Sequence, residues 1–131
     1  ALKNFDAGAA TVAARQAIAA IERRLELNPD DLRALSLGAG QLVSAGRVEE
    51  GLAMAERALE LAPGDLSVMY NTACCYAQAG RHERALELLE QRLQRSETIY
   101  REWVEHDSDF AGLQGDSRFI ALLDRMPRVA G

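Results

Sequence analysis

Aromatic residues are scarce in this sequence. They make up 5% of the 131 residues, whereas hydrophobic residues of all kinds make up 48%. A core with so few rings must be built from Ala, Leu and Ile, which pack best in closely spaced helices. The length allows one continuous core but not two. We therefore expect a single all-α domain over residues 1–131.

Lysine is almost absent, and positive charge as a whole is in the minority. All 15 basic residues except Lys3 are arginine, and 20 acidic residues bring the net charge to −5. A protein that holds nucleic acid through its phosphate backbone needs a basic face. The charge balance therefore argues against nucleic acid as a partner.

Cysteine occurs only as the adjacent pair Cys74 and Cys75, inside a predicted helix. Neighbouring side chains on a helix point about 100° apart, which does not allow the strict geometry of a disulfide. The same divergence keeps both thiols from one zinc ion, and His82 and His106 lie elsewhere in the sequence. We predict no metal site and no cofactor, with a mild preference for a reducing, cytoplasmic location.

Long hydrophobic runs and a signal peptide are also missing. No run approaches the roughly 20 apolar residues that span a bilayer, and the first residues lack an apolar leader segment. We predict no membrane insertion. Because the chain does not begin with Met, we expect it to be a fragment of a longer protein.

The sequence contains no recognisable catalytic motif. It lacks a phosphate-binding glycine loop, a dinucleotide fingerprint and a Ser-His-Asp order. Glu49 and Glu50 begin a predicted helix, where acidic residues complement the helix dipole. The group of Asp107, Asp109 and Asp116 lacks the spacing of a calcium loop. We predict that the protein is not an enzyme.

What the sequence does contain is an internal repeat. Shifting it so that Leu35 falls on Met69 also places Ala39 on Ala73, and Gly46 on Gly80. A period of this length, about 34 residues, is typical of proteins that stack helix pairs. We divide the chain into a partial first repeat (9–29), two repeats (32–65 and 66–96) and a C-terminal cap (97–131).

Each repeat shows signals for two helices, called A and B. Asp30 or Asp31 can cap the central A helix, which we expect to end at Gly46, and the B helix should run over residues 48–62. Pro63, Gly64 and Asp65 should then end the B helix and begin the next A helix, and Gly80 should provide the turn after it. The first helix should cover residues 9–27; because Val12 replaces its turn glycine, we expect either one long helix or a truncated repeat.

The C-terminal cap departs from this pattern. We predict a helix over residues 97–106 with Ser96 as its N-cap, a turn-rich loop over residues 107–115, and a final helix that Asp116 caps. The apolar end of a solenoid needs a cover. The side chains that we expect to provide it are Trp103, Phe110, Leu113, Phe119 and Leu123. For Tyr100 and Trp103 the alternative is an exposed binding hot spot.

A helix, a glycine turn, a second helix and a closing proline at this period resemble the tetratricopeptide repeat (TPR), over residues 17–93. The resemblance implies a right-handed, TPR-like α-solenoid of about six or seven helices with an atypical C-terminal capping helix. It also implies a non-enzymatic protein-interaction or regulatory module that binds a peptide or a neighbouring domain in a concave groove lined by A helices.

The repeat register carries the family's groove positions onto this chain. They are Arg33, Ser36, Gly40, Val43, Ser44, Ser67, Tyr70, Asn71, Cys74, Ala77 and Gln78. Asn71 stands where chaperone-binding members hold a peptide carboxylate. Because the accompanying Lys and Asn positions are Ser36 and Gly40 here, the resemblance does not extend to that carboxylate clamp. Whether the Tyr70 ring touches a ligand is left open.

A second resemblance concerns the setting of the domain. The segments that carry it are residues 26–31, 70–74, 103–109 and 117–119, which look like C-terminal repeat modules of multidomain bacterial signalling proteins. It implies a parent with a protein kinase, nucleotide cyclase or transcriptional regulator domain. The alternative function is structural: self-association or rigid docking, in which Ala17, Ile18 and Ile21 on the N-terminal helix form a homo-oligomer contact.

Overall fold

The computed structural model of the protein describes residues 2–95 and 98–129, with side chains from residue 11 onward, and all regular elements in these ranges are helical. The described ranges contain seven α-helices and one 3₁₀ helix: α1 (Leu2–Leu27), α2 (Leu32–Ser44), α3 (Val48–Leu61), α4 (Leu66–Gln78), α5 (His82–Leu93), α6 (Arg101–Glu105), the 3₁₀ helix Ser108–Leu113, and α7 (Ser117–Asp124). From α1 to α5 each helix packs on the next one along the chain, and α2 also packs on α4. Contacts between near neighbours are the hallmark of a solenoid, so the predicted all-α solenoid is confirmed.

The first helix is longer than the apolar periodicity indicated. Residues 2–8, which showed no periodicity, continue α1 towards the N-terminus, so one long helix stands where a turn glycine was missing. Ile18 is buried against the rest of the chain, and Ile21 and Leu25 are half-buried. No helix in the described ranges combines the length and the apolar character needed to cross a lipid bilayer.

The two repeats are built from matching local signals. Asp31 caps α2 by accepting a hydrogen bond from the Ala34 amide (3.0 Å), and Asp65 caps α4 by the same bond from Val68 (3.1 Å). The A helices end in matching turns, in which Gly46 has φ +87° and Gly80 has φ +77°. This left-handed conformation favours glycine. The predicted caps and turns are confirmed.

Small residues let the helices of a repeat approach each other closely. A Cβ atom placed on Gly51 of α3 would lie 2.8 Å from the backbone oxygen of Ala39 and 2.7 Å from Cγ2 of Val43 on α2. Ala58, on the same helix, is almost wholly buried. Larger side chains at these two positions would push the helices apart.

The start of the cap differs from its prediction. The predicted helix over residues 97–106 is wrong in its described part: residues 98–100 have no regular secondary structure, the backbone of Tyr100 is extended, and α6 begins only at Arg101 and has five residues. The predicted cap at Ser96 lies outside the described residues. The Arg101 amide donates to the Pro127 carbonyl (2.9 Å). The first residue of α6 is therefore held by the C-terminal segment and not by a preceding helical turn.

The rest of the cap buries four of the five predicted covering residues: Phe110, Leu113, Phe119 and Leu123. The segment predicted as a loop is largely the 3₁₀ helix, which Asp107 caps by accepting from the Asp109 amide (3.0 Å). Trp103 was assigned wrongly. Its side chain is 58% exposed, and its ring meets the edge of Tyr100, with centroids 4.8 Å apart.

Candidate functional site

A groove runs between the A helices α2 and α4. One hydrogen bond joins the two helices: Gln78 Nε2 on α4 donates to Ser44 Oγ on α2 (2.8 Å). The groove holds a cavity of about 310 Å³, lined by Ser36, Leu37, Gly40, Gln41, Ser44, Asn71, Cys74, Cys75, Gln78 and Asp109. Most of this lining is small and uncharged. Such a surface can admit a backbone or a flat side chain at close range.

A second, larger cavity begins on the other side of Asn71, and we call it the Arg92 cavity. Its volume is about 510 Å³, and its wall comes from α4, α5 and the cap: Leu66, Ser67, Tyr70, Asn71, Arg92, Ile99, Trp103 and Asp107. Because Asn71 lines both spaces, the groove and the Arg92 cavity form one continuous surface along α4.

Asp107 connects this surface to the cap. Its Oδ2 atom accepts a hydrogen bond from Tyr70 Oη (2.7 Å) and a longer one from Cys74 Sγ (3.9 Å). The Tyr70 ring also meets Phe110 edge to face, with centroids 5.7 Å apart. Tyr70 therefore fastens α4 to the cap with both its hydroxyl and its ring, besides lining the Arg92 cavity.

The ionisable groups near Asp107 are shifted towards their neutral forms. Burial, reinforced by the charges of Asp107 and Asp109, raises the pKa of the Cys74 thiol far above its ordinary value. Burial raises the pKa of Cys75 to about 11. Burial and the neighbouring Asp107 charge also raise the pKa of Asp109. Both thiols are thus protonated at neutral pH, and a protonated thiol is a poor nucleophile.

One group in the described chain has the residue types of a metal site. The candidate ligand atoms of Cys74, Asp107 and Asp109 lie within 4.8 Å of one another. The sequence prediction overlooked this group because 33 residues separate Cys74 from Asp107. However, both Asp107 oxygens accept hydrogen bonds from the protein. The arrangement serves to hold the cap on α4.

The structure gathers most of the predicted groove residues but not all of them. Ser36, Gly40, Ser44, Cys74 and Gln78 line the groove; Ser67 and Tyr70 line the Arg92 cavity, and Asn71 lines both. Arg33 lies apart, in a depression formed with α1. Val43 and Ala77 are buried in core clusters, so their side chains are not exposed to a ligand.

Several lining residues were not found from the sequence. Leu37, which is 55% exposed, follows from the repeat register, because the shift that superposes the two repeats places it on Asn71. Gln41 lies one turn further along the same helix. Arg92, Trp103, Asp107 and Asp109 carry no such signal, since they enter the surface from α5 and from the irregular cap.

Comparison with known proteins agrees with this geometry. Residues 42–98, which hold most of the two helix pairs, match the tetratricopeptide repeat family. No curated protein matches the chain. The fold is thus a TPR-like α-solenoid. Tetratricopeptide repeats generally mediate contacts between proteins and are typically not catalytic, which directs attention to the groove as a binding surface.

Proposed function

We propose that this protein is a non-enzymatic interaction module that binds a peptide, or a segment of a neighbouring domain, in the groove between α2 and α4. The observation that carries the proposal is the continuous surface along α4, where the groove and the Arg92 cavity share Asn71. Its walls come from two successive repeats. Recognition of extended or helical segments in such grooves is a common mode of peptide binding.

The lining of the groove suits a peptide ligand. Asn71, Gln41 and Gln78 are exposed and bear side-chain amides, which can donate to and accept from a peptide backbone. Leu37 adds an exposed apolar contact, and Gly40 leaves room beside it because nothing lies within 4 Å of a Cβ atom placed there. The surface therefore offers both backbone hydrogen bonds and a contact for an apolar side chain.

Gly40 also provides the test. A Gly40→Phe variant adds a ring at a residue that lines the groove, its Cβ atom would have nothing within 4 Å, and it removes a glycine from a helix interior. Peptides selected against the wild-type protein from a displayed random library should lose at least about tenfold in affinity for this variant. Isothermal titration calorimetry measures the loss.

The matched control is Ala53→Phe, which adds the same ring at an exposed position on α3 that lines neither cavity. It should bind the selected peptides as the wild type does. If Gly40→Phe also binds them undiminished, the groove is not the binding site. Tyr70→Ala would be a poor test, because Tyr70 holds the cap, and Arg33→Ala would change a surface apart from the groove.

Self-association through α1 has weaker support. Ile18 is buried within the chain, and Ile21 packs so closely on α2 that its Cγ2 would lie 2.9 Å from a Cβ atom on Gly38. The face of α1 that we expected to contact a second copy of the chain is therefore largely covered by the chain itself, although Val12 remains exposed. Sedimentation at micromolar concentration distinguishes the cases: a dimer that Val12→Glu abolishes supports self-association, and a monomer excludes it.

The setting of the module is a further part of the proposal. The resemblance to C-terminal repeats of bacterial signalling proteins favours a cytoplasmic parent with a kinase, cyclase or regulator domain. In that setting the ligand in the groove would be a segment of the parent or of a protein that it regulates. The sequence flanking this chain tests the idea, because such a domain would have to lie within it.

A further inference from the structure

Asp109 brings a negative charge into an otherwise neutral groove. The nine other residues that line the groove cavity are uncharged, so none of them is basic. Asp109 belongs to the 3₁₀ helix of the cap, which packs on α4. The electrostatic preference of the groove between α2 and α4 therefore comes from the cap and not from the repeats themselves.

The charge of Asp109 has no cationic partner in the described part of the chain. Asp31 and Asp116 each form an ion pair with an arginine, whereas no ion pair of the described residues includes Asp109 or Asp107. Oxygen atoms of these last two side chains lie within 4.8 Å of each other, so their negative charges reinforce one another. Burial and the Asp107 charge raise the pKa of Asp109. A cation placed beside Asp109 would offset this repulsion.

Further hydrogen-bond acceptors lie near the Asp109 carboxylate. Cys74 Sγ is within 4.8 Å of it, and Cys74 stands one helical turn from both Asn71 and Gln78 on α4. Both amide side chains line the groove, and their oxygen atoms can accept from an N–H group. Gln78 donates to Ser44 through Nε2, which leaves its oxygen atom for a ligand. The groove thus offers one carboxylate and two amide oxygens to a group that has several donors.

We propose that the groove selects a peptide with a basic side chain, preferably arginine, and that Asp109 is the residue that selects it. The cationic group lies against the Asp109 carboxylate and donates to the amide oxygens of Asn71 and Gln78. A guanidinium has five donors and suits a carboxylate better than an ammonium group does. This inference rests on the proposed function and adds the chemical class of the ligand. The preferred charge is opposite to that of the peptide carboxylate for which this chain lacks the clamp residues.

The probes are the peptides selected against the wild-type protein from a displayed random library. We expect arginine or lysine to be enriched at one position of these peptides. Each arginine peptide is then synthesised again with citrulline at that position, because citrulline keeps the shape of arginine without its charge. The exchange should weaken binding to the wild type at least about tenfold, as expected for a lost hydrogen bond between charged groups. Isothermal titration calorimetry measures both affinities.

Substitution of Asp109 completes a double-mutant cycle. Asp109→Asn keeps the shape of the side chain and removes the repulsion from Asp107, so we expect it to fold. For this variant the citrulline exchange should cost less than about threefold in affinity. Asp30→Asn is the matched control, because it removes the same charge from an exposed position that lines neither cavity; it should keep the full loss. If thermal unfolding shows that Asp109→Asn is disrupted, Asp109→Ser gives the same comparison.

Two results would overturn the proposal: selected peptides without enrichment of basic residues, or a citrulline loss that is equal for the wild type and a folded Asp109 variant. Failure here is separable from failure of the proposed function. Peptides that lack a basic residue but are rejected by Gly40→Phe would retain the groove as the binding site and exclude its preference for positive charge. Peptides that Gly40→Phe binds undiminished would instead contradict the proposed function.

Discussion

The two regular repeats and the C-terminal cap both cover apolar helix surface, but their helices are delimited in different ways. In the repeats, an aspartate begins each A helix and a left-handed glycine ends it, so that α2 and α4 have the same length. The cap consists of a five-residue helix, a 3₁₀ helix and an eight-residue helix. Its order comes from contacts distant in sequence, such as that between Tyr70 and Asp107.

This difference shows where local signals suffice and where they do not. A repeat can be read from residues a few positions apart, because its caps and turns satisfy backbone groups within the same segment. The cap has to fit the apolar end of α4 and α5, where Met69, Leu88 and Leu89 are fully buried. Its conformation is therefore selected by the surface that it covers.

Removing a ring from the cap should have the largest effect on this comparison. Phe119 is fully buried and lies beside Phe110, with centroids 5.9 Å apart. We expect Phe119→Ala to lower the free energy of unfolding by about 3–5 kcal/mol, measured by urea denaturation. Ile120→Ala, at the neighbouring exposed position, should change it by less than about 1 kcal/mol. Equal losses in the two variants would show that the cap does not depend on its buried rings.

A methyl group added inside a repeat should have an intermediate effect. At Gly51 the added carbon would lie under 3 Å from the Ala39 oxygen and from the Val43 side chain, so Gly51→Ala should destabilise the fold by about 1–3 kcal/mol. Gly40→Ala meets open space and should stabilise it by up to about 1 kcal/mol through helix propensity. Thermal and urea unfolding measure both changes. A stable Gly51→Ala would mean that α2 and α3 can separate at little cost.

The smallest expected effect concerns charge in the cap. Because burial and Asp107 raise the pKa of Asp109, ionisation of Asp109 opposes folding above that pKa. Asp109→Asn should therefore be at least as stable as the wild type at neutral pH, and its advantage should shrink as the pH falls and Asp109 protonates in the folded protein.

Asp116 supplies the comparison of opposite sign. Its hydrogen bonds with Arg118 lower the pKa of its carboxyl group, so its ionised form contributes stability above the ordinary pKa of aspartate, and this is lost as the pH falls through the lowered value. Asp116→Asn, which keeps a capping side chain, should be less stable than wild type at neutral pH and should lose that deficit in acid. The free energy of unfolding of both variants, relative to wild type, is measured against pH by urea denaturation. If the two differences change with pH in the same direction, the pKa shifts assigned to Asp109 and Asp116 are contradicted.

The candidate surface was predictable in part, for the same reason as the fold. Ser36, Gly40, Asn71 and Gln78 follow from the repeat register, because a helical position determines which way a side chain faces. The register also placed Val43 and Ala77 in the groove, whereas neighbouring helices bury them. Arg92 and Trp103 were not assigned to the surface, since no local rule shows that a B-helix arginine and a cap tryptophan line the same cavity as Asn71.

The amino-acid sequence by itself determined the helical class, the period of the repeat, and the caps and glycine turns that delimit α2 and α4. These depend on backbone hydrogen bonds and apolar spacing within single segments. Only the tertiary structure decided the form of the cap, the exposure of Trp103 and the cavity beside Arg92. Those features depend on how residues distant in sequence pack together over the apolar end of α4 and α5. That packing decides which side chains are buried and which stay exposed.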